Sequence, residues 1–253
     1  MTGWRLVGAL LLALAVVSLA GGAIAVPSLG GALAQDRGSQ RVAFSGYDWV
    51  VKSSRRPVGP GPNVFREENV EVDSSGRLHL AIVRRGDTWT SAEIGSRRRF
   101  GYGTYRFTVA AVSRDPHAIL GLFTWDDAGS GESRREIDIE IGRWGDPDGL
   151  NAQCVVQPSG TPGNMIRFEM PDGPAVHEFT WSRNGISCSS RLAGPTEEAA
   201  SPPFVHQAVL GGAPPPAGTA NVRITLWLAD GRPPSQDGVL RAIVERFEFV
   251  PAR

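Results

Sequence analysis

Residues 136–141 read Glu-Ile-Asp-Ile-Glu-Ile, with an acid at every second position and a β-branched isoleucine after each. On a strand, successive side chains point to opposite faces, so Glu136, Asp138 and Glu140 share one face while Ile137, Ile139 and Ile141 share the other. A helix would bring Glu136 and Glu140 together but scatter the isoleucines around the cylinder, where their β-branching is poorly used. The segment is therefore a strand with one oily side, and it demands a sheet and a core behind it.

Three acids in a row, about 6.6 Å apart along the strand, repel one another when all are ionised. Such a row is expected to share protons and to raise at least one pKa toward neutrality, which suits an acid and a nucleophile working side by side. The Cα atoms of Glu136 and Glu140 should lie about 13 Å apart, and side chains leaning inward bring the carboxyls to about 5–6 Å, the spacing of a retaining glycosidase. Two other readings compete. A solvated polar face normally mixes charge signs or uses Thr and Ser, and a calcium ladder needs further oxygen ligands from converging loops.

The rest of the chain supplies the sheet. Residues 69–72 and 77–83 flank the turn former Asp-Ser-Ser-Gly at 73–76, which predicts a hairpin. Tyr105, Phe107 and Val109 alternate with polar residues as a half-buried strand does, and further period-two runs occur at 152–156, 176–181, 222–228 and 239–250. No long segment combines helical apolar spacing with caps. About a dozen short strands, punctuated by 31 Gly and 19 Pro, predict an all-β sandwich of the jelly-roll type. Residues 55–63 and 201–218, rich in proline and glycine, read as long loops within one domain.

Residues 1–25 have the form of a signal peptide: Arg5, an apolar stretch from Leu6 to Ala20, and small residues ending at Ala25. Ala34 is a second cleavage point, and an uncleaved anchor is the alternative, since Leu6 to Val26 is about long enough to span a bilayer of roughly 30 Å. Residues 26–40 are expected to be a linker and 41–253 a single domain facing outside the cytoplasm, secreted or in the cell envelope. After Val26 nothing approaches membrane-spanning length. The 26 basic and 26 acidic residues balance, and the basic ones are scattered, which excludes a cationic stripe for nucleic acid. Cys154 and Cys188 both fall in strand-like segments; an oxidising compartment permits a disulfide, with two buried thiols as the alternative. No Cys or His spacing argues for zinc.

With these motifs in place, the sequence resembles glycoside hydrolase family 16, the concanavalin A-like jelly rolls that include β-glucanases and lichenases, over roughly residues 44–251. The Glu136-Ile-Asp138-Ile-Glu140 run is similar to that family's Glu-x-Asp-x-Glu signature. Thr90 to Ile94, the Phe100-Gly-Tyr-Gly103 segment, Leu122 to Trp125 and Leu226-Trp227 resemble flanking strands in the expected order. The resemblance implies a sugar-binding cleft on one sheet, Glu136 as nucleophile, Glu140 as general acid and then base, and Asp138 tuning the pair, with no metal or cofactor required. It also implies substrate contacts at Glu93 and Gln153. Alternation with the motif strands adds Trp227, Trp125 at a strand end and Trp144 just past the acid strand as sugar platforms, each against an ordinary packing or loop role, and Asn63 against a turn role. The chain departs from the family pattern at Arg134, Thr225 and Arg106. The expected activity is endo-hydrolysis of a β-1,3 or mixed-linkage β-glucan by a monomer; the alternatives are a β-glycan-binding module with negligible turnover and a transglycosylase.

Overall fold

The computed structural model describes residues 39–129, 134–194 and 204–252; the segment read as a signal peptide and most of the linker lie outside them. Among the described residues there are sixteen strands. In chain order they are β1 (Arg41–Phe44), β2 (Tyr47–Val51), β3 (Val64–Phe65), β4 (Val70–Val72), β5 (Leu78–Arg85), β6 (Thr88–Ser96), β7 (Gly103–Val112) and β8 (Ala118–Trp125). They continue with β9 (Ile137–Ile141), β10 (Ala152–Val156), β11 (Met165–Phe168), β12 (Ala175–Ser182), β13 (Gly185–Leu192), β14 (Phe204–Leu210), β15 (Asn221–Leu228) and β16 (Leu240–Pro251).

The strands pair in the order β11-β10-β9-β8-β15-β6-β5-β16-β7-β12-β13-β14, and every pair on this path is antiparallel. The β5–β6 hairpin is the seam. On one side β6, β15, β8, β9, β10 and β11 form the sheet that carries the acid strand, with β1 and β2 extending it; on the other, β4, β5, β16, β7, β12, β13 and β14 form the second sheet. This is the jelly-roll architecture the strand pattern predicts.

The core between the sheets is built by the expected alternation. Ile137, Ile139 and Ile141 point into it beside Leu120, Leu122, Ile224 and Leu226, and they meet Tyr105, Phe107, Phe179 and Phe247 from the second sheet. Tyr105 stacks on Phe179 with ring centroids 4.6 Å apart. Cys154 on β10 and Cys188 on β13 are bridged, with Cα atoms 6.5 Å apart, so a covalent staple links the two sheets directly behind the acid strand. Cys154 is paired in register with Ile139.

Two differences from the sequence reading stand out. The segment 201–218 is not wholly loop: Phe204–Leu210 forms β14, the last strand of the second sheet. Prolines on both sides conceal it, and as a terminal strand most of its side chains remain exposed, so no clean alternation marks it. The acid face of β9 is the second difference, because all five β9 residues are buried on both faces of the strand.

Candidate active site

The register of the sheet assembles the site. Glu140 lies opposite Gly121 of β8 and Gln153 of β10, and Asp138 opposite Phe123 and Val155. Beyond β8, Thr225 of β15 lies opposite Gly121, and Glu93 of β6 opposite Thr225; on the far side, Arg167 of β11 lies opposite Gln153. A polar row thus crosses the sheet: Glu93, Thr225, Glu140, Gln153, Arg167. Gly121, between Thr225 and Glu140, contributes no side chain to it. Both flanks of the acid strand hold non-glycine residues in the left-handed region, Arg135 at φ 56° and Trp144 at φ 49°. Such a conformation costs about 1–2 kcal/mol and persists where surrounding contacts impose it. Arg135 is fixed by its ion pair to Asp126 at 2.6 Å and by its Nε donating to the Pro216 carbonyl at 2.8 Å.

Burial governs the chemistry of the row. Glu136 is 2% exposed and Asp138 and Glu140 are 0% exposed. Burial pushes Glu140 up to about 8; a hydrogen bond from Gln153 Nε2 to Glu140 Oε2 opposes this, the charge of Glu136 adds to it, and Arg167 opposes it. Asp138 is driven well above the ordinary carboxyl range, by burial first and then by the charges of Glu136 and Glu140. The strand therefore holds protons at neutral pH, as a crowded acid row should. Gln153 is itself held: its Oε1 accepts from Arg167 Nε at 3.1 Å, and the Arg167 guanidinium lies 4.3 Å from the centre of the Trp144 ring.

Most nearby cations are occupied at Glu93, at one end of the row, rather than at the acids of β9. Lys52 donates to Glu93 at 2.8 Å and to the Gly59 carbonyl at 2.7 Å. Arg223, fully buried, pairs with Glu93 at 3.2 Å and with Asp127 at 2.6 Å. Lys52, Arg223, Glu93 and Asp127 form a linked charge cluster on the same sheet, with Arg99 3.7 Å from Asp127 at its edge.

A second apolar cluster covers the acid side of the sheet: Ile119, Phe123, Trp125, Trp227 and Ala229, with Trp144 packed against it. Among the described residues, six polar atoms on this side are buried without a hydrogen-bond partner. They are Asp138 Oδ1 and Oδ2, Glu140 Oε1, and the indole N–H groups of Trp125, Trp144 and Trp227. An unmade buried hydrogen bond costs about 1–3 kcal/mol, so such a concentration is unfavourable to stability and leaves these donors and acceptors open to a polar ligand.

The fold-level comparisons bear on this site. No protein-family model matches the sequence, and no curated protein matches it. Solved structures do. A Bacillus licheniformis β-glucanase superposes with TM-score 0.61 at 18% identity, over 87% of this chain and 100% of its own. A β-1,3-1,4-glucanase (lichenase) derived from a mouse hindgut metagenome gives 0.60 at 18%, over 84% and 99%. An immunostimulatory antigen of Mycobacterium tuberculosis, described as a pseudo β-1,3-glucanase, gives 0.62 at 18%, over 81% and 91%. The chain shares the jelly-roll fold of these β-glucanases.

Within that fold, the residues singled out from sequence gather on one sheet, with one reassignment and several qualifications. Glu93 and Gln153 are in the polar row, but Glu93 is sealed by Lys52 and Arg223. Trp227 and Trp125 belong to the second apolar cluster, each 1% exposed. The faces of Trp125 and Trp144 are not bare: Arg134 and Arg223 lie 5.0 and 5.5 Å from the Trp125 ring, and Arg167 covers Trp144. Asn63 is the reassignment. Its Nδ2 donates to the carbonyls of Pro60 and Leu228, and its Oδ1 accepts from Ser91 Oγ and the Leu228 N–H, so it is a structural lock with nothing left for a sugar. Sequence reasoning missed Arg223, although it shares a strand face with Thr225 and Trp227, and Lys52, whose position after an apolar run was the available signal. Nothing in the sequence marked Arg167. Among the described residues no group of three or more His, Cys, Asp or Glu is placed to hold a metal ion.

Proposed function

We propose that the chain is an exported, endo-acting β-glycan hydrolase that works with retention on a β-1,3 or mixed-linkage β-glucan. One observation carries this: Glu140, a buried acid that keeps its proton to about pH 8 and has an unpartnered oxygen, shares a strand face with Glu136, four residues earlier. Glu140 donates its proton to the leaving glycosidic oxygen as Glu136 attacks the anomeric carbon, forming a covalent glycosyl-enzyme. Glu140, now a carboxylate, then takes a proton from water, which attacks the same carbon and releases Glu136. Asp138, held protonated between them by burial, adds no further negative charge beside the Glu136 carboxylate. Gln153 and Arg167 orient Glu140, and Thr225 and the indole N–H groups offer partners to sugar hydroxyls. No metal enters these steps.

The burial of Asp138 and Glu140 favours a second reading, a glycan-binding domain without turnover. Release of reducing ends from β-glucans and β-galactans by wild type and Glu136→Gln separates the two. Hydrolysis predicts turnover by wild type, reduced by a factor of about 10³ or more in the variant. Equal rates in both would remove Glu136 from the mechanism, and binding by wild type without any turnover would establish the second reading.

A further inference from the structure

The tryptophans that bracket the acid strand are not presented as bare platforms, and two of the arginines lying over them, Arg134 and Arg167, are unlike the other arginines of the site. Arg134 lies over Trp125, at the Glu136 end. Arg167 lies over Trp144 and is paired across β10 with the Glu140 row. Arg135, Arg143 and Arg223 each pair with a carboxylate. Arg134, by contrast, makes no side-chain hydrogen bond or ion pair among the described residues, and Arg167 uses only its Nε, on Gln153. Stacking on an indole fixes the guanidinium plane and leaves its edge N–H groups directed away from the ring, the arrangement that binds a carboxylate or sulfate with two parallel hydrogen bonds.

The charge balance strengthens the point. Among the described residues Lys52, Arg223 and Arg99 each lie within ion-pair distance of Glu93 or Asp127, whereas Arg134 and Arg167 have no carboxylate within that distance. Arg134 stands at the Glu136 end of the acid strand and Arg167 two strands across from Glu140, one on either side of the acids.

We infer that the site takes an anionic β-glycan, whose carboxylate or sulfate groups on the sugars flanking the cleaved bond are held by Arg134 and Arg167. This rests on the glycan-hydrolase reading and names its substrate class. A neutral glucan would meet guanidinium groups where it needs exposed aromatic faces, whereas an acidic one replaces water on those same groups with charge-assisted hydrogen bonds.

The test uses one β-1,3-glucan backbone in three forms: neutral, carboxymethylated and sulfated. Binding is measured by affinity electrophoresis and calorimetry on Glu136→Gln, and hydrolysis on wild type. The expected result is binding of one or both charged forms about tenfold tighter than the neutral form. That ratio should collapse toward one in Arg134→Gln and Arg167→Gln and persist in Arg77→Gln, a charge control in the β4–β5 turn. The carboxymethyl and sulfate arms identify which anion is read. Equal binding of neutral and charged forms, or a ratio that Arg134→Gln and Arg167→Gln leave intact, overturns the inference. Efficient hydrolysis of the neutral form without charge preference would overturn it while leaving the hydrolase reading in place. Charge-selective binding without any hydrolysis would do the reverse.

Discussion

The Cys154–Cys188 bridge ties β10 to β13 across the core, behind the strand that carries the acids, and its contribution follows from the loop it closes. The separation of 34 residues gives an entropy loss in the unfolded chain of about 13 cal/mol/K, so the crosslink is worth about 4 kcal/mol at room temperature. Urea unfolding of the oxidised protein, compared with the same chain reduced and kept reduced throughout, measures this without truncating a core side chain. Two effects are expected together. The folding free energy falls by about 4 kcal/mol. The slope of free energy against urea rises as well, because a chain freed of its crosslink exposes more surface when unfolded. A loss below about 1 kcal/mol with an unchanged slope would refute the reasoning, since the bridge would then not be restricting the unfolded ensemble.

The proton held by Glu140 makes its own prediction: activity declines as pH rises through about 8, and Gln153→Ala, which removes a donor that stabilises the carboxylate, moves that alkaline limb upward, whereas a limb that stays put would show that Gln153 does not act on Glu140. Because the folded pKa of Glu140 lies above its unfolded value, its burial costs stability progressively between about 4.5 and 8; Glu140→Gln should be inactive yet more stable than wild type in urea at pH 9, with no difference at pH 4. His177 works in the opposite direction. Buried and bonded to Ser190 Oγ at 2.9 Å, it is pushed down by burial to about 4 from 6.5, so stability falls as pH drops from 6.5 through 4, by roughly 3 kcal/mol; His177→Gln should flatten that slope. Finally, Arg223→Met should cost about 3–5 kcal/mol by leaving Glu93 and Asp127 short of a buried partner, with Lys52→Met/Glu93→Leu/Arg223→Met recovering part of it; chemical denaturation decides.

The fold was legible where side-chain alternation is uninterrupted. The isoleucines of β9 and the aromatic face of β7 announce their strands because a period of two has only one structural meaning when one face is oily. β14 was not legible, since an end strand with exposed Phe204 and Val209 lacks that contrast. For the site, the acid triad could be named in advance from its strict alternation with the isoleucines, and Gln153 through the family resemblance alone. The state of the tryptophans could not. Whether Trp125 meets a sugar or an arginine depends on Arg134 reaching it from the segment beyond the end of β8, and Asn63 finds Leu228 only once residues 165 apart in sequence are brought together. A loop residue and a distant strand end carry no shared periodicity, so their meeting is a tertiary fact.

Lys52 is the chain's single lysine, and its ammonium is enclosed by the Gly59 carbonyl, Glu93 and the Phe65 ring. Folded, the domain presents no side-chain amine to a reagent. Acylating labels should therefore attach at the amino terminus alone, giving single-point immobilisation or dye conjugation without engineering. A second label appearing over time would then count openings of the β2–β6 region, one molecule at a time.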